Sequence, residues 1–118
     1  MDVRIQRLVA IIERDPHQRL SLVAMARIAG LSSSRLRHKF KSEVGITPTV
    51  YLQIVRMRKA AELLQTGELS VKEVRVATGL ESDSYFTHLC KRTYGITPSR
   101  IKTTSVVAYV EFAQPSAT

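Results

Sequence analysis

Apolar residues recur at helical rather than strand spacing along most of the chain. Ile5, Leu8, Val9 and Ile12 follow steps of three and four, and Pro16, which cannot continue a helix, ends that segment. Leu22, Met25, Ala26 and Ala29 recur at i, i+3, i+4 and i+7, with Ser21 placed as N-cap and Gly30 as terminator. Ser32 is positioned to cap a second helix, on which Leu36, Phe40 and Val44 fall four apart. Two short helices, a tight Gly-containing turn and a small residue, Ala26, at the close approach predict a helix-turn-helix. Thr47-Pro48 then offers a cap followed by Pro at the first helical position. Val50, Ile54, Met57, Ala61 and Leu64 continue in steps of four and three up to Gly67, which predicts a long connecting helix.

The first unit is repeated. Ser21 to Gly30 returns as Ser70 to Gly79, an offset of 49, whereas Gly45-Ile46-Thr47-Pro48 returns as Gly95-Ile96-Thr97-Pro98, an offset of 50. The second copy therefore carries one extra residue between its halves. The expected fold is all-α, with two helix-turn-helix subdomains joined by a long linker helix, about seven helices, and an irregular C-terminal tail. The expected divisions are residues 1–46 for the N-terminal helix and first unit, 47–66 for the linker helix, 67–102 for the second unit and 103–118 for the tail. The tail holds one charge, Glu111, and a β-prone run at 106–112. It is expected to be a loose extension on the domain surface, with a strand pairing to another chain as the lesser alternative.

Composition narrows the function. The chain has 118 residues, 44% of them hydrophobic, with 18 Lys+Arg against 10 Asp+Glu and a formal charge of +8. Seven aromatics and no Trp suit small helices with aliphatic seams. The longest apolar stretches, at 8–12 and 106–110, are too short to span a bilayer, and the N-terminus lacks a signal-peptide pattern. A cytoplasmic, nucleoid-associated protein without a membrane partner is expected. One cysteine, Cys90, and three histidines without ligand spacing predict no disulfide, no metal and no other cofactor. The excess positive charge still leaves nucleic acid, an acidic membrane surface, an acidic protein or simple solubility as explanations.

The motifs choose among these. Ala26 to Gly30, Ser32 with Leu36 and Phe40-Lys41, Gly45-Ile46-Thr47-Pro48, Arg56-Met57, Ala60 and Leu63-Leu64 resemble the DNA-binding domain of AraC/XylS-type transcriptional regulators. So do Glu73-Val74, Gly79-Leu80, Ser84-Tyr85-Phe86, Lys91 and Gly95-Ile96-Thr97-Pro98, and the likeness covers roughly residues 5–102. The resemblance implies two helix-turn-helix units, each placing its second helix in a major-groove segment on one face of double-stranded DNA. It further implies transcriptional regulation, with contact to RNA polymerase as a route to activation; repression by occlusion fits the residues equally.

On a helical wheel Ser34, Arg37, His38 and Lys41 share one polar side, away from Leu36 and Phe40. Arg37 can present a two-pronged donor to guanine, His38 can donate or accept, and Ser34 completes the expected base contacts. Ser33, Arg35 and Lys41 are expected at phosphates. In the second unit Ser84, Thr87 and His88 are the expected base contacts, with Lys91 and Arg92 at phosphates. Asp83 suits the helix dipole or, less well, a cytosine amino group. Lys39, Arg56, Arg58 and Lys59 add positive charge that could follow a phosphate backbone, although such side chains are usually just the solvated side of a helix.

Three departures weigh against the second unit. Arg75 falls where the first unit has Ala26, and a long cation at a helix crossing is expected to splay the pair unless it reaches outward. Cys90 replaces Phe40, which removes core volume, and His88 stands where the family commonly has arginine. The first unit is therefore expected to carry most of the specificity. The rival reading is a protein-interaction module whose degenerate second unit no longer reads an operator; a non-specific basic nucleic-acid binder is a further one. An enzyme is the weakest, since Cys90 and His88 diverge by about 200° on one helix and no third group orients them. With the helical pattern starting at the first residues and only a tail following, a stand-alone monomeric regulator without a small-molecule effector is expected, although a fragment of a longer regulator reads the same.

Overall fold

A computed structural model describes residues 1–103, and the expected tail beyond Thr103 lies outside the described residues. Among the described residues there are seven helices and no strand, in the order α1 (Val3–Arg14), α2 (Leu22–Ala29), α3 (Ser33–Val44), α4 (Pro48–Thr66), α5 (Val71–Ala77), α6 (Asp83–Tyr94) and α7 (Pro98–Thr103). The all-helical expectation holds. The chain divides into two compact units, the first within Met1–Val55 and the second beginning at Arg56, so that α4 contributes to both.

Capping side chains start the helices of each unit, and left-handed glycines end several of them. Ser21 Oγ accepts from the Ala24 N–H at 3.1 Å, and Gly30 closes α2 in the left-handed conformation at φ 69°. A residue with a Cβ is strained there, and the following Leu31 N–H can donate back to the Ala26 carbonyl at 3.0 Å. The repeated Gly-Ile-Thr-Pro is likewise a stop followed by a start. Gly45 and Gly95 terminate α3 and α6 in the left-handed region, Thr47 and Thr97 each accept at Oγ1 from the N–H three residues on at 3.4 Å, and Pro48 and Pro98 open the next helices. In the second unit Ser70 and Glu73 form a reciprocal capping box, and the hydrogen bonds from Ser70 lower the Glu73 carboxyl below its usual range.

The first core gathers Ile5, Leu8 and Ile12 of α1, Met25, Ala26 and Ala29 of α2, and Leu36 and Phe40 of α3. Phe40 is fully buried and meets Tyr51 of α4 edge-on, with ring centroids 5.7 Å apart. Such burial contributes about 2–3 kcal/mol, with about 1 kcal/mol more from the ring pair. The continuous stripe expected along α4 is not what the first core uses. Leu52 and Val55 are buried there while Val50 stays exposed, and only from Met57 onward do Ala60, Ala61 and Leu64 enter the second core. Each half of α4 answers to a different core, so no single stripe can serve both.

The second core joins those α4 residues to Val74, Leu80, Phe86, Leu89, Cys90, Tyr94 and Ile101. The volume missing at Cys90, relative to Phe40, is regained one turn later. Tyr94 takes the place that Val44 has in the first unit, is buried, and donates from its hydroxyl to the Met57 carbonyl at 3.1 Å. Large-then-small in α3 has become small-then-large in α6, which corrects the expectation of a depleted core.

Arg75 also departs from expectation. Its guanidinium reaches out of the helix crossing to Asp83 and to the turn carbonyls of Leu80 and Glu81. Val74, beside it, supplies the fully buried position of α5. The cation therefore braces the unit where it was expected to hinder it.

Two measurements check this packing. Cys90→Phe should cost about 1–3 kcal/mol by overpacking in urea unfolding, and the cost should shrink when Tyr94→Val is added. Burial pushes both the Cys90 thiol and the Tyr94 phenol up to about 12. The unfolded chain ionises these groups at about 8.5 and 10, so between those values and about 12 it binds fewer protons than the folded chain and stability falls with rising pH. Urea midpoints at mildly and strongly alkaline pH should show that fall, reduced in Cys90→Ala/Tyr94→Phe.

Candidate nucleic-acid interface

A helix turns by about 100° per residue, so burying Leu36 and Phe40 decides which residues of α3 remain outside. Ser34, Arg37, His38 and Lys41 are all exposed and lie within about a third of a turn of one another. Arg35 is exposed on the flank, and Ser33, the first residue of the helix, is half-buried. Ser32 fixes where the helix starts by accepting the Arg35 N–H at Oγ, 3.1 Å away.

The second unit repeats this arrangement at an offset of 50. Phe86, Leu89, Cys90 and Tyr94 are buried, and Ser84, His88 and Lys91 are exposed on the side corresponding to Ser34, His38 and Lys41. Thr87, the counterpart of Arg37, is half-buried, and Arg92 is exposed on the flank. Ser82 caps the helix through the Tyr85 N–H at 3.1 Å, which leaves Asp83 as its first residue. The Asp83 carboxylate takes the Arg75 Nε at 2.7 Å.

Both faces offer hydroxyls, imidazoles and cations; Asp83, at the start of α6, adds an exposed carboxylate that is paired with Arg75. Hydroxyls and imidazoles can donate or accept, Arg37 presents a rigid donor fork, and lysine presents a mobile point charge. That combination suits base edges flanked by phosphates. The acid of α3, Glu43, points elsewhere: its Oε1 accepts the Asp2 N–H at 2.6 Å, and Lys39 Nζ lies 3.5 Å from Asp2 and 3.6 Å from Glu43.

Lys39 is thereby engaged at the start of α1, away from the cations it was grouped with. Hydrogen bonds from Arg4, assisted by Lys39, hold the Asp2 carboxyl well below the usual carboxylate range. The spacing of Lys39 and Glu43 shows their pairing in the sequence, but nothing there points to Asp2. Arg56 is half-buried near Tyr85 and Glu81, and loss of water lowers its pKa. Arg58 is half-buried and Lys59 exposed. Among the described residues no group of three or more His, Cys, Asp or Glu could hold a metal ion, and no helix is long and apolar enough to cross a membrane.

Residues 25–104 match the helix-turn-helix domain family, and the chain belongs to it, in the two-unit form of the AraC/XylS type. The chain is 30% identical over 101 residues to the HTH-type transcriptional regulator MtrA of Neisseria gonorrhoeae, covering 86% of this chain and 34% of that protein. Among solved structures it is similar to the C-terminal domain of AraT, a response regulator from Geobacillus stearothermophilus, with a TM-score of 0.79, 28% identity and coverage of 86% of this chain and 85% of that one. A DNA-binding transcriptional dual regulator from Escherichia coli K-12 gives a TM-score of 0.75 and 26% identity, with 87% and 98% covered. The chain spans about a third or less of the length of the curated relatives it matches.

Proposed function

We propose that this chain is a sequence-specific double-stranded DNA-binding domain that regulates transcription, each unit placing its second helix in a major-groove segment. The observation that carries this reading is the pairing of two capped helices whose buried stripes leave Ser34, Arg37, His38 and Lys41 outward on one, and Ser84, Thr87, His88 and Lys91 on the other. Arg37, His38, Ser34, Ser84, Thr87 and His88 contact bases, and Ser33, Arg35, Lys41, Lys91 and Arg92 hold phosphates. Membership of the helix-turn-helix family and the printed functions of the similar regulators support the reading.

In this reading the domain binds as a monomer, in the cytoplasm at the nucleoid, without cofactor or small-molecule effector; that each unit has its own core supports binding without a second copy. Its role is binding and not catalysis. The bound domain either contacts RNA polymerase or occludes it.

Selection of bound sequences from a random duplex library should return a consensus that binds at least ~10³-fold more tightly than random duplex. The four cations assigned to phosphates should give a log–log salt slope of about −4. Recovery of no consensus, with a shallow slope, would favour the protein-interaction module instead. Lys41→Ala should make the slope shallower by about 0.9, whereas Lys39→Ala, already paired with Asp2 and Glu43, should leave it nearly unchanged. Arg37→Ala should weaken binding to the selected site more than Thr87→Ala combined with His88→Ala, because the first unit has a guanidinium among its base contacts and the second has none; equal losses would reverse that ranking.

A further inference from the structure

Two of the differences between the second unit and the first meet in the structure. Arg75 stands where the first unit has Ala26, and the turn that follows is longer by one residue. Arg75 Nε donates to Asp83 Oδ1 at 2.7 Å, while Nη1 donates to the Leu80 carbonyl at 3.0 Å and to the Glu81 carbonyl at 3.3 Å. One guanidinium thus ties α5 to two carbonyls of the turn and to the first residue of α6. The first unit closes the corresponding turn with backbone bonds such as Leu31 N–H to Ala26 carbonyl, a type of bond the second unit also has in Leu80 N–H to Arg75 carbonyl.

The pair is unequally sheltered. The Arg75 side chain is 18% exposed and that of Asp83 72% exposed. The cation is therefore largely sheltered, and the carboxylate lies at the exposed start of α6, where the dipole favours it. Apolar packing of Phe86 and Cys90 resists withdrawal of α6 from the core but is non-directional. The planar donor fork adds direction, because its three bonds hold together at only one placement of the first turn. Ser84, Thr87 and His88 lie within a turn and a half of Asp83, so a rotation there moves all three.

We propose that Arg75 is a positioning residue for α6. It touches no base, but through Leu80, Glu81 and Asp83 it sets the orientation in which Ser84, Thr87 and His88 meet base edges, and the sequence preference of the second unit depends on it. This rests on the DNA-binding reading above.

The test compares the full chain with Arg75→Met, which keeps the unbranched stem and loses the donors, and with Arg75→Ala, which installs the residue of the first unit. Each is put through random-duplex selection, a thermal melt by circular dichroism and amide hydrogen exchange. Arg75→Met should melt cooperatively with unchanged helix content. Its base preference should relax about tenfold at the positions read by the second unit, with no change at positions assigned to the first unit by Arg37→Ala. Exchange at the Tyr85 and Phe86 amides, both bonded to Ser82, should speed up by about tenfold. Asp83→Asn should produce part of the same change and add nothing further to Arg75→Met.

Unaltered preference in Arg75→Met would overturn the proposal, as would equal relaxation at both sets of positions. Loss of helix content in both Arg75 variants would overturn it too, making Arg75 a folding residue. If the wild-type chain selects no consensus, the DNA reading and this proposal fall together. The wild-type selection distinguishes that outcome from a failure confined to Arg75.

Discussion

Leu36 and Phe40 in α3, and Phe86 and Cys90 in α6, are withdrawn from water, and a helix has only one side to bury. Everything outward follows from that constraint. With those stripes fixed in the two cores, Ser34, Arg37, His38 and Lys41 on one helix and Ser84, His88 and Lys91 on the other have no place but the solvent side. The serine caps at Ser32 and Ser82 set where each helix begins, and the left-handed Gly45 and Gly95 set where it ends. The caps set the length of each helix, while the buried stripe sets which side faces outward.

The two units solve the same packing problem with different residues. In α3 the large ring comes first, at Phe40, and Val44 follows; in α6 the small Cys90 comes first and Tyr94 follows, its hydroxyl satisfied by the Met57 carbonyl. At the helix crossing Ala26 is simply small, whereas Arg75 leaves the crossing and spends its donors on the turn and Asp83. Position-by-position comparison marks each exchange as damage. Taken in pairs, the exchanges preserve a filled core and a braced turn.

That difference explains what the sequence could and could not reveal. Helix spacing, serine caps and the repeated Gly-Ile-Thr-Pro are local signals, and they disclosed the two units and the outward polar faces. The stripe along α4 misled at Val50 and Ile54, because Leu52 and Val55 serve one core and Met57 to Leu64 another, and a periodic reading assumes a single one. Lys39 and Arg56 resembled any other surface cations. The approach of Lys39 to Asp2, and the burial of Arg56 near Tyr85 and Glu81, depend on contacts between residues far apart in the chain. Arg75 was recognised as unusual, but the carbonyls it reaches have no side-chain signature.

DNA contact at the sides of α3 and α6 left outside by core burial carries the proposed function. Its most direct measurement is an NMR titration of the isotope-labelled chain with a selected duplex, followed residue by residue. Shift changes and intermolecular contacts should concentrate at Ser34, Arg37, His38 and Lys41 and at Ser84, Thr87, His88 and Lys91, with α1 little affected. Changes confined to α1 and α5, with both outward faces silent, would contradict it.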